Sequence, residues 1–589
     1  MKTRGNRLRE GKGLESYRIS RKTIIVLIIT VIAGFIFYNI APTDIEAGNY
    51  EATLTVDSIG INITHSFNLT IIESGSITEA NYILIGDSTN LTITYTSIVP
   101  IGSGNEISFQ IISSGRECSA DEITLTLSNG QGFEQLLRPT KQNGQTFYID
   151  YQPLVNSQAA VMILVVVAIL WFSEGVSLVA TSMLIPVMIV ITEIATPQSA
   201  FAHFFDPAVA LIFGGFLIGR ALSKYDLDKR LALLILSKSV GSGPRLLITI
   251  MAITAFLSMW ISNTASAAIM IPIALAVISK IHSSETRSKY GKAMVLGVAY
   301  SATIGGIASL VGSPPNPLAA TYINSFLGTE FTFLSWIPFG LPVVIIMLPI
   351  IWQWLMFRFK LPRDVEEMDE LRDVSEREYL KLGPMNIQQK LVVVIFLSVV
   401  ILWLTEGIHG ISSSIVAVMG GLALLILRLL DEKDVSSKIN WSSLLILGSG
   451  IALGNAMIST GLSAYLAYQM TALGVLPLML VIVAIGSIAV LLTMVASNTG
   501  AAVILIPIAI PLAVDLGIDP MLLIMIIAIG VSMDFALPTG TPPSTIAYST
   551  GELEMEEMIT TGLIIDLIAI LVLTIGVVWL WSLLGLVYF

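Results

Sequence analysis

The chain has 589 residues, 54% hydrophobic and 12% charged, with a formal net charge of −11. A soluble globular domain carries roughly 25% charged residues, and apolar stretches long enough to span a bilayer recur here many times. The composition therefore excludes a soluble protein and reads as an all-α polytopic membrane protein. The charges sit in tails and loops, so the net charge names no partner, and no nucleic acid is expected.

Residues 1–22 form a basic tail with Lys2, Arg4, Arg7, Arg9, Lys12, Arg18, Arg21 and Lys22 against Glu10 and Glu15. An apolar run over 23–40 follows, a first transmembrane helix whose basic flank puts the N-terminus in the cytoplasm. A cleaved signal peptide is the rival reading. Residues 45–153 differ in kind. They alternate apolar with Thr and Ser, as in Ala52-Thr-Leu-Thr-Val-Asp and Leu91-Thr-Ile-Thr-Tyr, with turn signals at Glu73-Ser-Gly and Ser128-Asn-Gly. This predicts a small β-sandwich, extracytoplasmic after one span. Asn-x-Thr sequons at Asn62, Asn68 and Asn90 fit that side.

From 158 the chain is membrane core. A first set of elements covers 158–173, 175–195, 206–238, a hairpin over 244–282, a broken helix over 289–327 and a helix over 331–359. A mixed-charge cytoplasmic loop, 360–389, with a surface helix separates it from a second set: 390–405, 410–430, 441–465, a hairpin over 475–515, a broken helix over 518–550 and a helix over 558–587.

The two sets repeat. Trp171-Phe-Ser-Glu174-Gly175 answers Trp403-Leu-Thr-Glu406-Gly407. Ser262-Asn263-Thr264 with Pro272 answers Ser497-Asn498-Thr499 with Pro507. Val311-Gly312-Ser313-Pro314-Pro315-Asn316 answers Thr539-Gly540-Thr541-Pro542-Pro543-Ser544, and Phe213–Gly219 answers Leu447–Gly454 more loosely. The firm pairs are offset by 232, 235 and 228 residues. Five spans and one re-entrant hairpin per half make the second half enter with opposite orientation, an inverted-topology repeat: transporter repeat 1 over 158–359 and repeat 2 over 390–587, about 11 transmembrane helices in all.

The Ser-Asn-Thr triplets sit mid-segment in arms too short for comfortable independent spans. A polar group in hydrocarbon costs several kcal/mol without a partner. Ser, Asn and Thr are favoured N-caps, so each second arm begins at mid-membrane with free N–H groups and its positive dipole end turned to the gap, which suits an anion. The carbonyl end of the first arm suits a cation. Gly-Ser/Thr-Pro-Pro breaks the next helix, since proline removes donors, and the freed carbonyls with the Ser313 and Thr541 hydroxyls become oxygen ligands for a hard monovalent cation. Lys and Arg are absent from 246–279 and 439–589, so an anion bound there needs mobile cations, and sodium would serve. Asp534 in the second broken helix could bind a cation or proton, or pair with a hydroxyl. Glu174 and Glu406 read as structural caps of tight turns. Cys118 is a lone cysteine, and His65, His203, His282 and His409 are scattered, which leaves no disulfide or zinc site.

These motifs resemble the divalent anion:sodium symporter family, the Indy-like, solute-carrier-13-like dicarboxylate, citrate and sulfate carriers, over 23–40 and 158–589. The resemblance implies a homodimer whose transport domain moves as an elevator against a scaffold. It implies one sodium site at Ser258, Ser262, Asn263 and Gly312 and another at Thr493, Ala496, Asn498 and Gly540. It implies substrate contacts at Asn263, Thr264, Ser313, Asn498, Thr499, Thr541 and Pro542. Ser544 departs from the family's Asn, which Asn316 keeps, and the extracytoplasmic domain is not part of the common architecture.

The function expected is sodium-coupled symport of a small di- or tricarboxylate, succinate-like or citrate, at the plasma membrane. Sodium ions act as coupling ions and no cofactor is needed. Symport of sulfate or another oxyanion is the alternative. A membrane solute sensor is disfavoured because the cytoplasmic segments are too short for an output domain. An intramembrane protease is disfavoured because His-Glu-x-x-His and Gly-x-Gly-Asp are absent.

Overall fold

In the computed structural model four helical residues precede the strands, and the main helical part follows them. The residues described are Val26, Ile29, Thr30 and Ala33, the strands between Gly48 and Tyr151, and 157–588 apart from 174–175, 240–241, 364–367, 471–473 and 475. The basic tail and most of the 23–40 run lie outside the described residues, as do the sequon Asn90 and Glu174 with Gly175.

The Thr- and Ile-rich segment forms two antiparallel sheets. β1 (Gly48–Ser58) is flanked by β2 (Ile61–Ile71) and β6 (Ile123–Ser128), and β3 (Ile77–Asn81) and β7 (Glu134–Leu137) complete the order β3-β2-β1-β6-β7. The second sheet runs β4 (Leu91–Ile101), β5 (Gly104–Ser113), β9 (Thr146–Tyr151), β8 (Lys141–Asn143). β-Branched residues at alternate positions favour the pleated, extended backbone.

The first helical half consists of α1 (Ser157–Ser173), α2 (Leu178–Ile191), α3 (Pro197–Ala202), α4 (Pro207–Lys224), α5 (Leu227–Ser239), α6 (Gly243–Ser258), α7 (Asn263–Ile278), α8 (Ser284–Gly305), α9 (Pro315–Leu327) and α10 (Phe333–Arg358). The charged linker carries α11 (Met368–Lys381). The second half has α12 (Ile387–Leu404), α13 (Glu406–His409), α14 (Ser413–Ile426), α15 (Glu432–Lys438), α16 (Trp441–Ser459), α17 (Leu462–Met470), α18 (Leu478–Val495), α19 (Asn498–Asp515), α20 (Pro520–Gly530), α21 (Pro542–Ser549), α22 (Met555–Leu571), a π-helical turn Val572–Val577 and α23 (Val578–Leu583).

Two long expected elements are divided. The 206–238 element breaks at Asp226, whose φ of 53° is left-handed, and 441–465 breaks at Gly461, with φ 72°. Among the described residues seven helices are long and apolar enough to cross a membrane, and six apolar helices are shorter. The arms α6 and α7 have 16 residues each. At 1.5 Å per residue that is about 24 Å, short of the ~30 Å hydrocarbon layer. Their counterparts α18 and α19 reach 18 residues each.

The halves interlock. α8 packs on its own hairpin, α6 with α7, whereas α9 crosses to α19 and α20 of the other half. Symmetrically, α20 packs on α18 and α19 while α21 crosses to α7 and α8. Each broken helix therefore serves both hairpins. α4 lies against α14, close enough at Gly214 that an added Cβ would overlap the Ala417 backbone. At the end of α4, Arg220 and Lys224 grip Asp434 of α15 at 2.8 and 2.5 Å. Arg230 of α5 donates to the Leu382 and Gly383 carbonyls beyond α11, and Arg372 of α11 donates to Ser237 O.

Candidate functional site

Both hairpins turn on a serine N-cap. Ser262 has φ −61° and ψ 145°, and its hydroxyl accepts from Ala265 N at 3.3 Å. Ser497 has φ −69° and ψ 146°, and its hydroxyl accepts from Gly500 N at 3.1 Å. A helix leaves its first N–H groups without intrahelical partners. With the cap occupied by the third residue, the remaining donors belong to Asn263 and Thr264 at one tip, and to Asn498 and Thr499 at the other.

The residue that ends the first arm reaches across the turn. In the first half, Ser258 Oγ donates to Ala302 O at 2.6 Å and lies 2.7 Å from the Asn263 side-chain amide. That amide's oxygen, as placed, faces only acceptors; turned over, its nitrogen donates to Ser258 Oγ at 2.7 Å and to the carbonyls of Ala302 and Gly312 at 3.2 Å each. Ser258, Asn263 and Gly312 are thus brought together with the Ala302 carbonyl, while the Ser262 hydroxyl is used by the cap at Ala265 N. In the second half, Thr493 Oγ1 lies 2.8 Å from Asn498 Oδ1 and 2.7 Å from Val531 O. A hydroxyl has one proton to give, so two acceptors at hydrogen-bonding distance share a single donor. Ala496 closes α18 with its N–H on Leu492 O. Gly540 is not among the partners of Asn498; it stands against the Asp534 carboxylate.

The two unwound segments meet. Ser313 Oγ is 3.4 Å from Ser532 Oγ, a contact between the loop after α8 and the loop after α20. Asn316 clamps the first loop, its amide donating to Gly306 O at 2.9 Å and Ser309 O at 2.7 Å. Ser544, its counterpart, is too short to do this and bonds only Thr541, at 3.0 Å. Thr545 takes over part of the task by donating to Pro538 O at 2.7 Å. Thr541 N-caps α21. Ser313, Thr499 and Thr541 are buried, whereas Thr264 and Pro542 are exposed on the rim. Four helix N-termini (α7, α9, α19, α21) and four C-termini (α6, α8, α18, α20) converge here, and no Lys, Arg or His lies in 246–279 or 439–589. The positive helix ends suit an anion, and the acceptor-rich ends suit small cations.

The family described as sodium:sulfate symporter transmembrane region matches residues 146–587. The chain belongs to this divalent anion:sodium symporter family. It is 31% identical over 458 residues to the sodium-dependent dicarboxylate transporter SdcS of Staphylococcus saprophyticus, covering 73% of this chain and 88% of that one. It is 32% identical over 442 residues to an uncharacterized transporter of Haemophilus influenzae, covering 72% and 92%. The solved YdaH transporter of Alcanivorax borkumensis aligns at 13% identity with a TM-score of 0.48, covering 72% of this chain and 98% of that one.

This chain is accordingly a multi-pass membrane transport protein. Sequence reasoning did not anticipate the Ala302 and Val531 carbonyls, because backbone groups carry no residue signature. It also missed Ser309, whose hydroxyl donates to Met259 O at 2.5 Å, and Ser532. Ser309 lies three residues before Gly312, which was the available signal, whereas Ser532 lies eight before Gly540. Glu406 caps the turn after α12, accepting from Ser413 N at 3.1 Å and from the Ser413 hydroxyl.

Proposed function

We propose that this protein is a sodium-coupled symporter of small dicarboxylates. The duplicated oxygen cluster carries the reading: Ser258 with Asn263 and Ala302 O, and Thr493 with Asn498 and Val531 O, at matching distances in both halves. In the second cluster two acceptors share the one Thr493 proton, and in the first the Asn263 amide can turn its oxygen toward a cation beside Ser258 Oγ and the Ala302 and Gly312 carbonyls, which suits a hard monovalent cation. Beside each cluster a helix N-terminus presents N–H groups to one end of a dianion. Asn263, Thr264 and Ser313 would hold one carboxylate, and Asn498, Thr499, Thr541 and Pro542 the other. One sodium would lie among Ser258, Ser262, Asn263 and Gly312, and another among Thr493, Ala496, Asn498 and Gly540.

Without fixed positive charge, the dianion is stabilised only by helix ends and co-bound cations, so sodium and substrate bind together, which is the basis of coupling. The name of the SdcS relative favours a dicarboxylate over sulfate. On this reading the hairpins and broken helices travel as one elevator unit against the remaining helices, in a homodimer. The N-terminus is cytoplasmic and the two sheets of 45–153 pack as an extracytoplasmic sandwich.

The experiment is uptake of labelled succinate, citrate and sulfate by purified protein in liposomes under an inward sodium gradient. Each tenfold gradient supplies about 1.4 kcal/mol per ion, and 100 mV adds about 2.3 kcal/mol per net charge. Uptake that persists when choline replaces sodium, or that a proton gradient alone drives, refutes the proposal.

A further inference from the structure

Asp534 breaks the symmetry of the two halves. Counted back from the motif glycines, Asp534 before Gly540 answers Gly306 before Gly312; counted on from the paired carbonyls of Ala302 and Val531 it answers Gly305, so a glycine stands opposite it in either register. At Gly306 backbone alone approaches the site: an added Cβ would meet the Asn263 amide and lie 3.0 Å from Gly312 O. In the second half a side chain takes that room. A Cβ added at Gly540 would fall on the Asp534 carboxylate, so the carboxylate lies directly on the Gly540 backbone. Asp534 is 0% exposed; the backbone N–H groups of Leu537 and Ala536 lie near its carboxylate without well-aligned hydrogen bonds, and no side chain donates to it.

Among the described residues no Lys, Arg or His is placed against it. From α22, the buried Asp566 accepts the Phe535 N–H at 2.9 Å with one oxygen, and its other oxygen is unpartnered. From α8, the Tyr300 ring meets Phe535 edge-on at 5.2 Å, and its hydroxyl is also unpartnered. The loop after α8 offers the Ser313 hydroxyl, through Ser532, and the end of α18 offers Thr493, through Val531 O. Lys292 of α8 is spent on Glu557. An unpaired carboxylate in a low-dielectric interior costs several kcal/mol, and buried charges in folded proteins are paired or coordinate metals. Carboxylate, hydroxyl and carbonyl oxygens are the ligands that hard cations take.

We propose that Asp534 is a fixed-charge ligand of the second half's cation site, which makes the two pseudo-equivalent sodium sites unequal. The second site then binds sodium before substrate and more tightly than the first. The empty transport unit then carries one negative charge on its return, and two sodium ions with a dianion leave that net charge unchanged in the loaded unit. This inference rests on the sodium-coupled reading above and adds to it a residue without a partner in the first half.

The test is calorimetric titration of sodium chloride, against choline chloride, into purified protein without substrate, backed by sodium-dependent thermal stabilisation. The wild type should show two sodium affinities separated by about tenfold or more. Asp534→Asn, isosteric and neutral, and Asp534→Ala should each lose the tighter step by at least about tenfold and keep the weaker one. Ser258→Ala should weaken the other step. Two equal affinities in the wild type overturn the proposal with no variant needed. Unchanged sodium binding in a monodisperse Asp534→Asn protein also overturns it and leaves sodium coupling standing. A wild type that binds no sodium overturns sodium coupling itself, and the proposal falls with it.

Discussion

Ser258 and Thr493, 235 residues apart, make the same two contacts: each hydroxyl lies within 2.6–2.8 Å of the side-chain amide of its hairpin tip and of a carbonyl at the end of the neighbouring helix. A hydroxyl in this position ties together the end of one arm, the start of the next and the broken helix. Ser258→Ala and Thr493→Ala should each lower sodium affinity by about 5- to 10-fold, since a net hydrogen bond contributes roughly 1 kcal/mol. Equal and wild-type sodium titrations for both variants would show that these hydroxyls serve only to hold the turn.

Asn263 and Asn498 hold equivalent places at the tips. Asn263→Asp or Asn498→Asp keeps an oxygen for the cation but adds negative charge where the dianion must lie. At an effective dielectric near 20, like charges about 4 Å apart cost roughly 4 kcal/mol. Each variant should abolish succinate uptake while sodium binding survives. Near wild-type uptake by either would place the substrate elsewhere.

Gly312 cannot accept a side chain. An added Cβ would lie 2.5 Å from Gly306 O and 2.8 Å from Gly306 Cα, which are backbone atoms. Gly312→Ala must push the two ends of the first unwound loop apart, with a cost of about 1–3 kcal/mol for overpacking. The expected result is a folded protein with a lower melting temperature and sodium affinity reduced more than tenfold. A variant with unaltered sodium binding would remove the Gly312 carbonyl from the cation site.

Asp434 joins the halves outside the membrane-spanning segments. Its burial raises its pKa, but the hydrogen bonds and charges of Lys224 and Arg220 outweigh that and hold it below the ordinary carboxylate range. A depressed carboxylate contributes stability that is present above its unfolded pKa, about 3.9, and is lost as pH falls through the folded value. With the basic partners about a quarter exposed, Asp434→Asn should cost about 1–2 kcal/mol at pH 7. Melting curves of the two proteins should converge as the pH drops below about 4. A constant difference across that range would assign the effect to packing.

The β region, 45–153, lies outside both repeats in the chain. Replacing it with a short Gly/Ser linker should leave succinate affinity within about twofold. Loss of binding in a folded variant, checked by size-exclusion chromatography, would make the β region part of the site.

The sequence alone determined the membrane class, the duplication and the serine caps of the hairpin tips. Apolar runs, proline pairs and Ser-Asn-Thr triplets report solvent, backbone donors and capping directly, and these are local properties of the chain. The divided helices at Asp226 and Gly461 were not anticipated, although each break has a local polar signal, Ser223-Lys-Tyr-Asp-Leu-Asp-Lys-Arg in the first case and Ser459-Thr-Gly in the second; the left-handed backbone at Asp226 and Gly461 is what ends each helix. Tertiary structure alone decided that each broken helix crosses to the opposite hairpin. It also decided that Ala302 O and Val531 O complete the clusters, and that Asp534 lies on Gly540. The physical reason is that backbone carbonyls are chemically identical at every position. Which of them face a site depends on where helices end in space, and a buried charge acquires its meaning from the groups that fail to meet it.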